Sequence, residues 1–306
     1  MGFCINRMVK AIFFTGQGSQ YVGMGKELYD KDEIFRNVID RAEEVLEIPL
    51  KRLMFEGPGG ELTLTKNAQP AILAVGIGKF EIYKKNKGVN EIEYALGHSL
   101  GEFGALYAAE VLSFEDVFKL VKIRGELMNS AGERHKGTMG VALGMGEEEV
   151  NEIIKEIGDE NLVLANYNSP GQYIVSGPIE SVDKFIEIAK QKGCKRALKL
   201  NVSAAFHSPL MKDASIKFEK YVEKTEFKKP KFKIIQNVTG KAHDDPYEIK
   251  ENIKKQILSP VKFIDSVIYL KEKDVREGIE FGPKPVLKGL VQRIDKEFII
   301  EFFDGN

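Results

Sequence analysis

The 306-residue sequence holds only two cysteines, Cys4 and Cys194, four histidines, and a net charge of −1. Each scarcity removes a class of protein. Two thiols outside any C-x-x-C or clustered pattern support neither a disulfide framework nor a metal site, which fits a reducing, cytoplasmic setting. A near-neutral chain lacks the basic excess that nucleic acid or a membrane surface demands, so neither partner is expected. The N-terminus has Gly2 but Asn6 where a myristoylation signal needs Ser or Thr, and no hydrophobic signal-peptide core follows. Met8 is an alternative start. Internal repeats and low-complexity stretches are also missing. What is present is a chain with 43% hydrophobic and 30% charged residues, long enough for a substantial core and a second module. Its client is expected to be a small molecule or another protein.

Helical periodicity alternates with short apolar runs, which predicts an α/β fold. Ala11-Ile12-Phe13-Phe14 reads as a buried strand. Phe35, Val38, Ile39, Ala42, Val45 and Leu46 form one helical stripe, and Ile72, Val75, Lys79, Phe80 and Tyr83 another; both helices are expected to cover the sheet. From about Gly132 to Ala204 the pattern changes. Strands are predicted at Met139–Leu143, Leu162–Ala165, Gln172–Ser176 and through Leu198, Leu200 and Val202, with helices from Glu147 and Ile179. That β-α-β-β-α-β order closes into its own sheet, and Asn168-Ser169-Pro170-Gly171 supplies its hairpin turn. The domains expected are therefore a large unit of residues 1–132 and 205–306, and an inserted ferredoxin-like subdomain of residues 133–204.

Four places could carry chemistry. Gly97-His98-Ser99-Leu100-Gly101 sets a hydroxyl between two glycines where the strand Tyr94-Ala95-Leu96 gives way to a helix, a turn that raises the serine oxygen above the sheet and toward the positive helix end. The same pattern also serves purely structural turns. Gly16-Gln17-Gly18-Ser19-Gln20 follows the first strand, so it lies at the same sheet edge; it lacks the lysine of a phosphate-binding loop and the third glycine of a dinucleotide site, and is read as an oxyanion-facing turn. Arg124 falls on the apolar stripe of a helix from about Phe114 to Met128, where an inward guanidinium needs an anion, either a structural partner or a substrate carboxylate. Among the histidines, His207 sits at a corner before Ser208-Pro209, a helix cap and first-turn pair, and is either a base or a satisfied core residue. His98 is expected to point away from Ser99, and His135 and His243 to be solvated.

Taken together and in this order, these residues resemble the malonyl-CoA:acyl carrier protein transacylases of fatty acid synthesis and the related acyltransferase domains of polyketide synthases. The resemblance runs from about Ala11 to Ile294. It rests on Gly16–Gln20, Gly97–Glu102, Arg124 and Phe206-His207, with Thr65–Ala71, Asn168–Gln172, Gln236-Asn237-Val238 and Phe281-Gly282-Pro283 in support. It implies a hydrolase-like α/β core, with a mostly parallel sheet flanked by helices and an inserted ferredoxin-like subdomain. It also implies an acyltransferase in which Ser99 takes the acyl group, His207 is the base, and the backbone carbonyl of Gln256 orients the imidazole. The amides of Gln17 and Leu100 would hold the oxyanion and Arg124 the acyl carboxylate, with Gln69, Phe206 and Asn168 also binding substrate. Malonyl-CoA and acyl carrier protein are the implied partners; no cofactor or metal is implied, and a monomer is expected. Thr15 and Ala204-Ala205 depart from the usual pattern without removing a catalytic atom. Because such carriers are acidic, Lys84-Lys85-Lys87, Lys195-Arg196 or Lys228-Lys229-Lys231-Lys233 could form a docking patch. Two rivals remain at this level: a serine esterase or thioesterase, and an inactive subunit that only binds acyl groups or carrier.

Overall fold

The computed structural model describes residues 9–305, so Cys4 and Met8 lie outside the described residues. In chain order the strands are β1 (Lys10–Phe14), β2 (Ile92–Gly97), β3 (Gly137–Leu143), β4 (Val163–Ser169), β5 (Gln172–Pro178), β6 (Arg196–Lys199), β7 (Lys233–Gln236), β8 (Lys241–His243), β9 (Glu277–Phe281) and β10 (Ile299–Phe302). The larger sheet has the order β10-β9-β1-β2-β7-β8 and is parallel except for β8. Ile12 and Phe14 enter one core while Ala11 and Phe13 enter the other. Burial on both faces is why Ala11–Phe14 is unbroken apolar sequence rather than an alternation. Helices Thr65–Lys87, Gly101–Ala108 and Phe114–Arg134 fill one side, and Phe263–Glu272 and Leu287–Ile294 the other.

The helix Glu33–Leu46 does not cover the sheet as expected. It packs on the outside of Thr65–Lys87, with the Phe35 ring against Gly78, where a Cβ would come within 2.6 Å of it. That second layer leaves Thr65–Lys87 buried nearly all round between Asn67 and Phe80, Lys79 included.

The smaller sheet has the order β4-β5-β3-β6 and is fully antiparallel. Helices Glu147–Ile157 and Ile179–Gln191 cover one face, completing the expected β-α-β-β-α-β order. Gly171, at φ 72°, closes the β4–β5 hairpin. Alternation along β3 sends Ala142 to the helices but Met139, Val141 and Leu143 to the opposite face, which walls a cleft against the larger sheet. The last strand is shorter than its pattern suggested. β6 ends at Lys199, Leu200 N still reaches Met139 O at 2.8 Å, and Val202 N then turns back to Leu200 O. Leu198 still pairs with β3, but the alternation runs on through Leu200 and Val202 because all three side chains line the cleft.

Register fixes the position of the site. Phe14 lies opposite Gly97 on one side and Phe281 on the other, and Leu96 opposite Ile235. The carboxyl ends of four parallel strands therefore coincide, and residues after each, from Gly16, His98, Asn237 and Gly282 onward, leave the sheet at one edge.

Candidate active site

Ser99 stands on a turn with φ 51°, a left-handed conformation that costs a non-glycine residue energy and is held by its surroundings. Both flanking glycines are forced by close approach. A Cβ at Gly97 would lie 2.0 Å from the Gly101 carbonyl carbon, and one at Gly101 would lie 2.0 Å from the Phe14 carbonyl oxygen. Gly16 is similarly constrained, its added Cβ falling 2.4 Å from the His98 carbonyl oxygen, so the two glycine turns touch as expected. Asn237 pins the bend from the end of β7: its Oδ1 accepts from Ser99 N at 2.6 Å and its Nδ2 donates to Gly97 O at 2.7 Å.

The Ser99 hydroxyl lies 2.8 Å from His207 Nε2. His207 Nδ1 faces two carbonyl oxygens, Ser259 at 2.9 Å and Gln256 at 3.1 Å. Nδ1 must therefore carry the proton, which leaves Nε2 as an acceptor for the serine proton. The ring is buried, and burial, reinforced by the positive charge of Arg124, holds its pKa down to about 3. It is a neutral base throughout the physiological range. The family resemblance implied the Gln256 carbonyl; the nearer one, from Ser259, carries no side-chain signal and was not anticipated.

Arg124 is fully buried and points inward from its helix. Nη1 donates to Gln69 Oε1 at 2.8 Å, and Nη2 donates to Ser99 Oγ and Gln256 Oε1, each at 3.0 Å. Gly125 lets this helix approach the start of Thr65–Lys87, bringing Gln69 within reach. Among the described residues the guanidinium touches no carboxylate, and Nε has no hydrogen-bond partner. Burial lowers its pKa to about 10, which leaves it cationic near neutrality. A buried cation with spare donors and no carboxylate in contact is chemically able to receive an anion.

Gln17, Leu100, Gln69, Phe206 and Asn168 all line the same cleft, whose volume is about 530 Å³. The Gln17 side chain donates to Thr65 Oγ1 at 3.3 Å, while the backbone amides of Gln17 and Leu100 have no acceptor among the described residues. His98 lines the cleft, and its ring bonds Asn168 rather than Ser99: Nε2 donates to Asn168 Oδ1 at 2.8 Å, a partner from β4 of the smaller sheet that local sequence could not reveal. His135 is exposed near Asp213, as expected, whereas His243 is held between Thr239 and Glu248 rather than free in solvent.

Of the three basic patches, Lys84–Lys87 precedes the start of β2 and Lys228–Lys233 leads into the start of β7, both at the edge opposite Ser99. Arg196 lines the cleft, joined by Arg293, which sequence reading had not singled out. Among the described residues no group of His, Cys, Asp and Glu could hold a metal ion, and no helix is long and apolar enough to cross a membrane.

A hydroxyl, an imidazole and two backbone amides meet at this sheet edge, an arrangement chemically capable of acyl transfer. The sequence model of the family described as "Acyl transferase domain" matches residues 12–298. A malonyl CoA-acyl carrier protein transacylase of Bacillus subtilis is 42% identical over 94% of this chain and 90% of its own length. One from Staphylococcus aureus is 38% identical over 94% and 92%. Among solved structures, the malonyl CoA-acyl carrier protein transacylase of Coxiella burnetii superposes with a TM-score of 0.92 at 33% identity, covering 97% of this chain and 94% of that one. A malonyl-transacylase solved in complex with a type II polyketide synthase acyl carrier protein superposes with a TM-score of 0.92 at 34% identity, covering 96% and 95%. The chain belongs to the acyl transferase family, in its malonyl-CoA:acyl carrier protein transacylase branch, and is an acyltransferase.

Proposed function

We propose that the enzyme moves a malonyl group from malonyl-CoA to the phosphopantetheine thiol of acyl carrier protein, through a covalent malonyl ester on Ser99, and so supplies fatty acid chain extension. The observation that carries this reading is the 2.8 Å Ser99–His207 contact in the cleft that Arg124 also lines. The names of its relatives agree with it.

With the malonyl carboxylate on Arg124, the thioester carbonyl lies over Ser99. His207 Nε2 takes the hydroxyl proton as Oγ bonds to the carbonyl carbon, and the amides of Gln17 and Leu100 receive the oxyanion. Collapse breaks the carbon–sulfur bond, and the imidazolium returns its proton to the departing thiolate. Carrier thiol then repeats the sequence in reverse. Two thiols share one cleft in turn, so the kinetics are ping-pong.

A hydrolase reading has less support, since no carboxylate side chain contacts His207 among the described residues. The test is intact mass after exposure to malonyl-CoA. Wild type should gain one malonyl group that holo-carrier protein removes, and Ser99→Ala should gain none. Absence of an adduct on wild type would refute the covalent route, and rapid release of free malonate without carrier would move the assignment to hydrolysis.

A further inference from the structure

Glu102 is a buried acid that the mechanism above does not use. It sits in the first turn of the helix that begins at Gly101, fully removed from solvent. Every contact it makes is with a donor: Oε1 accepts from Gln236 Nε2 at 3.1 Å, and Oε2 from Gln256 Nε2 at 2.9 Å and Asn237 N at 3.1 Å. A protonated carboxyl would have no acceptor to donate to among the described residues, so the hydrogen-bond geometry suits the anion. Burial pushes the carboxyl pKa up, and the donors of Gln256, Asn237 and Gln236, with the nearby Arg124 charge, act against that rise.

The important partner is Gln256. One end of its amide is held by Glu102 and also donates to Ser99 O at 3.0 Å; the other end, Oε1, accepts from Arg124. The backbone carbonyl of the same residue faces His207 Nδ1. An amide fixed at both ends cannot flip, and a side chain so fixed restrains its own peptide group. Asn237, which pins the Ser99 bend, is tied to Glu102 through its main-chain amide.

We infer that Glu102 is a positioning residue for acyl transfer: as a buried anion it locks Gln256, so that one residue aims both His207 and Arg124, and it balances the Arg124 charge before an acyl carboxylate arrives. Glu102 thus stands one residue removed from the place a triad acid would fill. This inference rests on the proposed function for its role in malonyl transfer, but its effect on Ser99 can be read without malonyl-CoA.

The experiment measures labelling of Ser99 by a fluorophosphonate probe, alongside kcat and KM for malonyl-CoA, in Glu102→Gln, Gln256→Ala and the double variant. Gln256→Ala keeps the backbone carbonyl and removes only the side chain that holds it. Each single variant should label roughly tenfold more slowly, and the double variant should be no slower than the slower single, because both break one linkage. For Glu102→Gln, kcat should fall while KM for malonyl-CoA falls or stays level, since the cleft becomes more positive. A purely structural acid would lower the active fraction without that split. Losses that multiply in the double variant, or wild-type labelling in Gln256→Ala, overturn the inference even if Glu102→Gln does not fold. If labelling behaves as stated but wild type transfers no malonyl group, the proposed function fails while the positioning role stands.

Discussion

Replacing Arg124 with alanine should change which acyl group the enzyme prefers as well as how fast it works. The guanidinium is fully buried and binds two glutamine side chains and the Ser99 hydroxyl, with Nε unpartnered among the described residues. For malonyl-CoA the variant loses a desolvated charge pair, at a cost of about 2 to 5 kcal/mol in the transition state. With a factor of ten for about every 1.4 kcal/mol, that is a loss of roughly 30-fold to several thousand-fold in kcat/KM. Acetyl-CoA has no carboxylate to lose. It suffers only from the missing contacts to Ser99 Oγ and Gln256 Oε1, hydrogen bonds of about 1 kcal/mol each, and so falls roughly 30-fold. Malonyl-CoA loses those contacts as well, so they cancel, and the malonyl-to-acetyl ratio should drop by the charge-pair cost alone, roughly 30-fold to several thousand-fold. The ratio is the useful quantity. Removing Arg124 also leaves the Glu102 carboxylate without its counter-charge, which destabilises the fold, but any unfolded fraction divides out when two substrates are compared on one preparation. Initial rates of carrier acylation, resolved by mass, give both values. Equal losses for the two acyl groups would refute the anion-receptor reading of Arg124.

The depressed His207 pKa makes two predictions. Its folded value, about 3, lies below the ordinary 6.5, so kcat/KM should show no histidine inflection between about pH 5 and 8; a midpoint near 6.5 in the pH–rate profile would mean that the base is not this buried ring. The folded protein holds the proton less well than the unfolded chain does. Stability from this group is therefore complete above about pH 6.5 and lost as pH falls toward 3, and burial of His98 acts in the same direction; denaturant midpoints measured from pH 8 down to 4 should decline. Gly101→Ala drives a methyl group to 2.0 Å from the Phe14 carbonyl oxygen, backbone against backbone, which should cost about 3 kcal/mol and displace Ser99. Thermal melting and transfer rate should both fall, and a variant with wild-type values for either would show that the strand and helix can separate at no cost.

What the sequence disclosed followed from how local each signal is. The elbow at Ser99 was legible because its two glycines and the strand-to-helix change lie within a few residues, and the inward position of Arg124 because helical spacing alone sets it. The small sheet was legible from its alternation and its Pro170-Gly171 turn. The rest lies where another element decides the outcome. Alternation through Val202 signalled a strand, yet the cleft rather than a neighbouring strand was using those side chains. The partner of the His98 ring was not legible because Asn168 comes from the other sheet. The hub around Glu102 joins the elbow helix, the end of β7 and the turn at Gln256, contacts that no local period can encode.

The same hub gives a physical reason for the imidazole to face carbonyl oxygens instead of an acid. Arg124 bonds the side chain of Gln256, the residue whose carbonyl faces His207 Nδ1, so a carboxylate at Nδ1 would add a full negative charge near the guanidinium. That charge would weaken the attraction of Arg124 for a substrate carboxylate. Carbonyl dipoles from Gln256 and Ser259 fix the tautomer without offering Arg124 a full negative charge. The acid is instead set behind the Gln256 amide, where it touches Gln256 Nε2 while Arg124 takes only Oε1. Glu102 can offset the field of the arginine through that neutral spacer without competing for its free donors. In the proposed reaction, recognition of an anionic acyl group and orientation of the base place opposite demands on one small volume, and the Gln256 side chain stands between them.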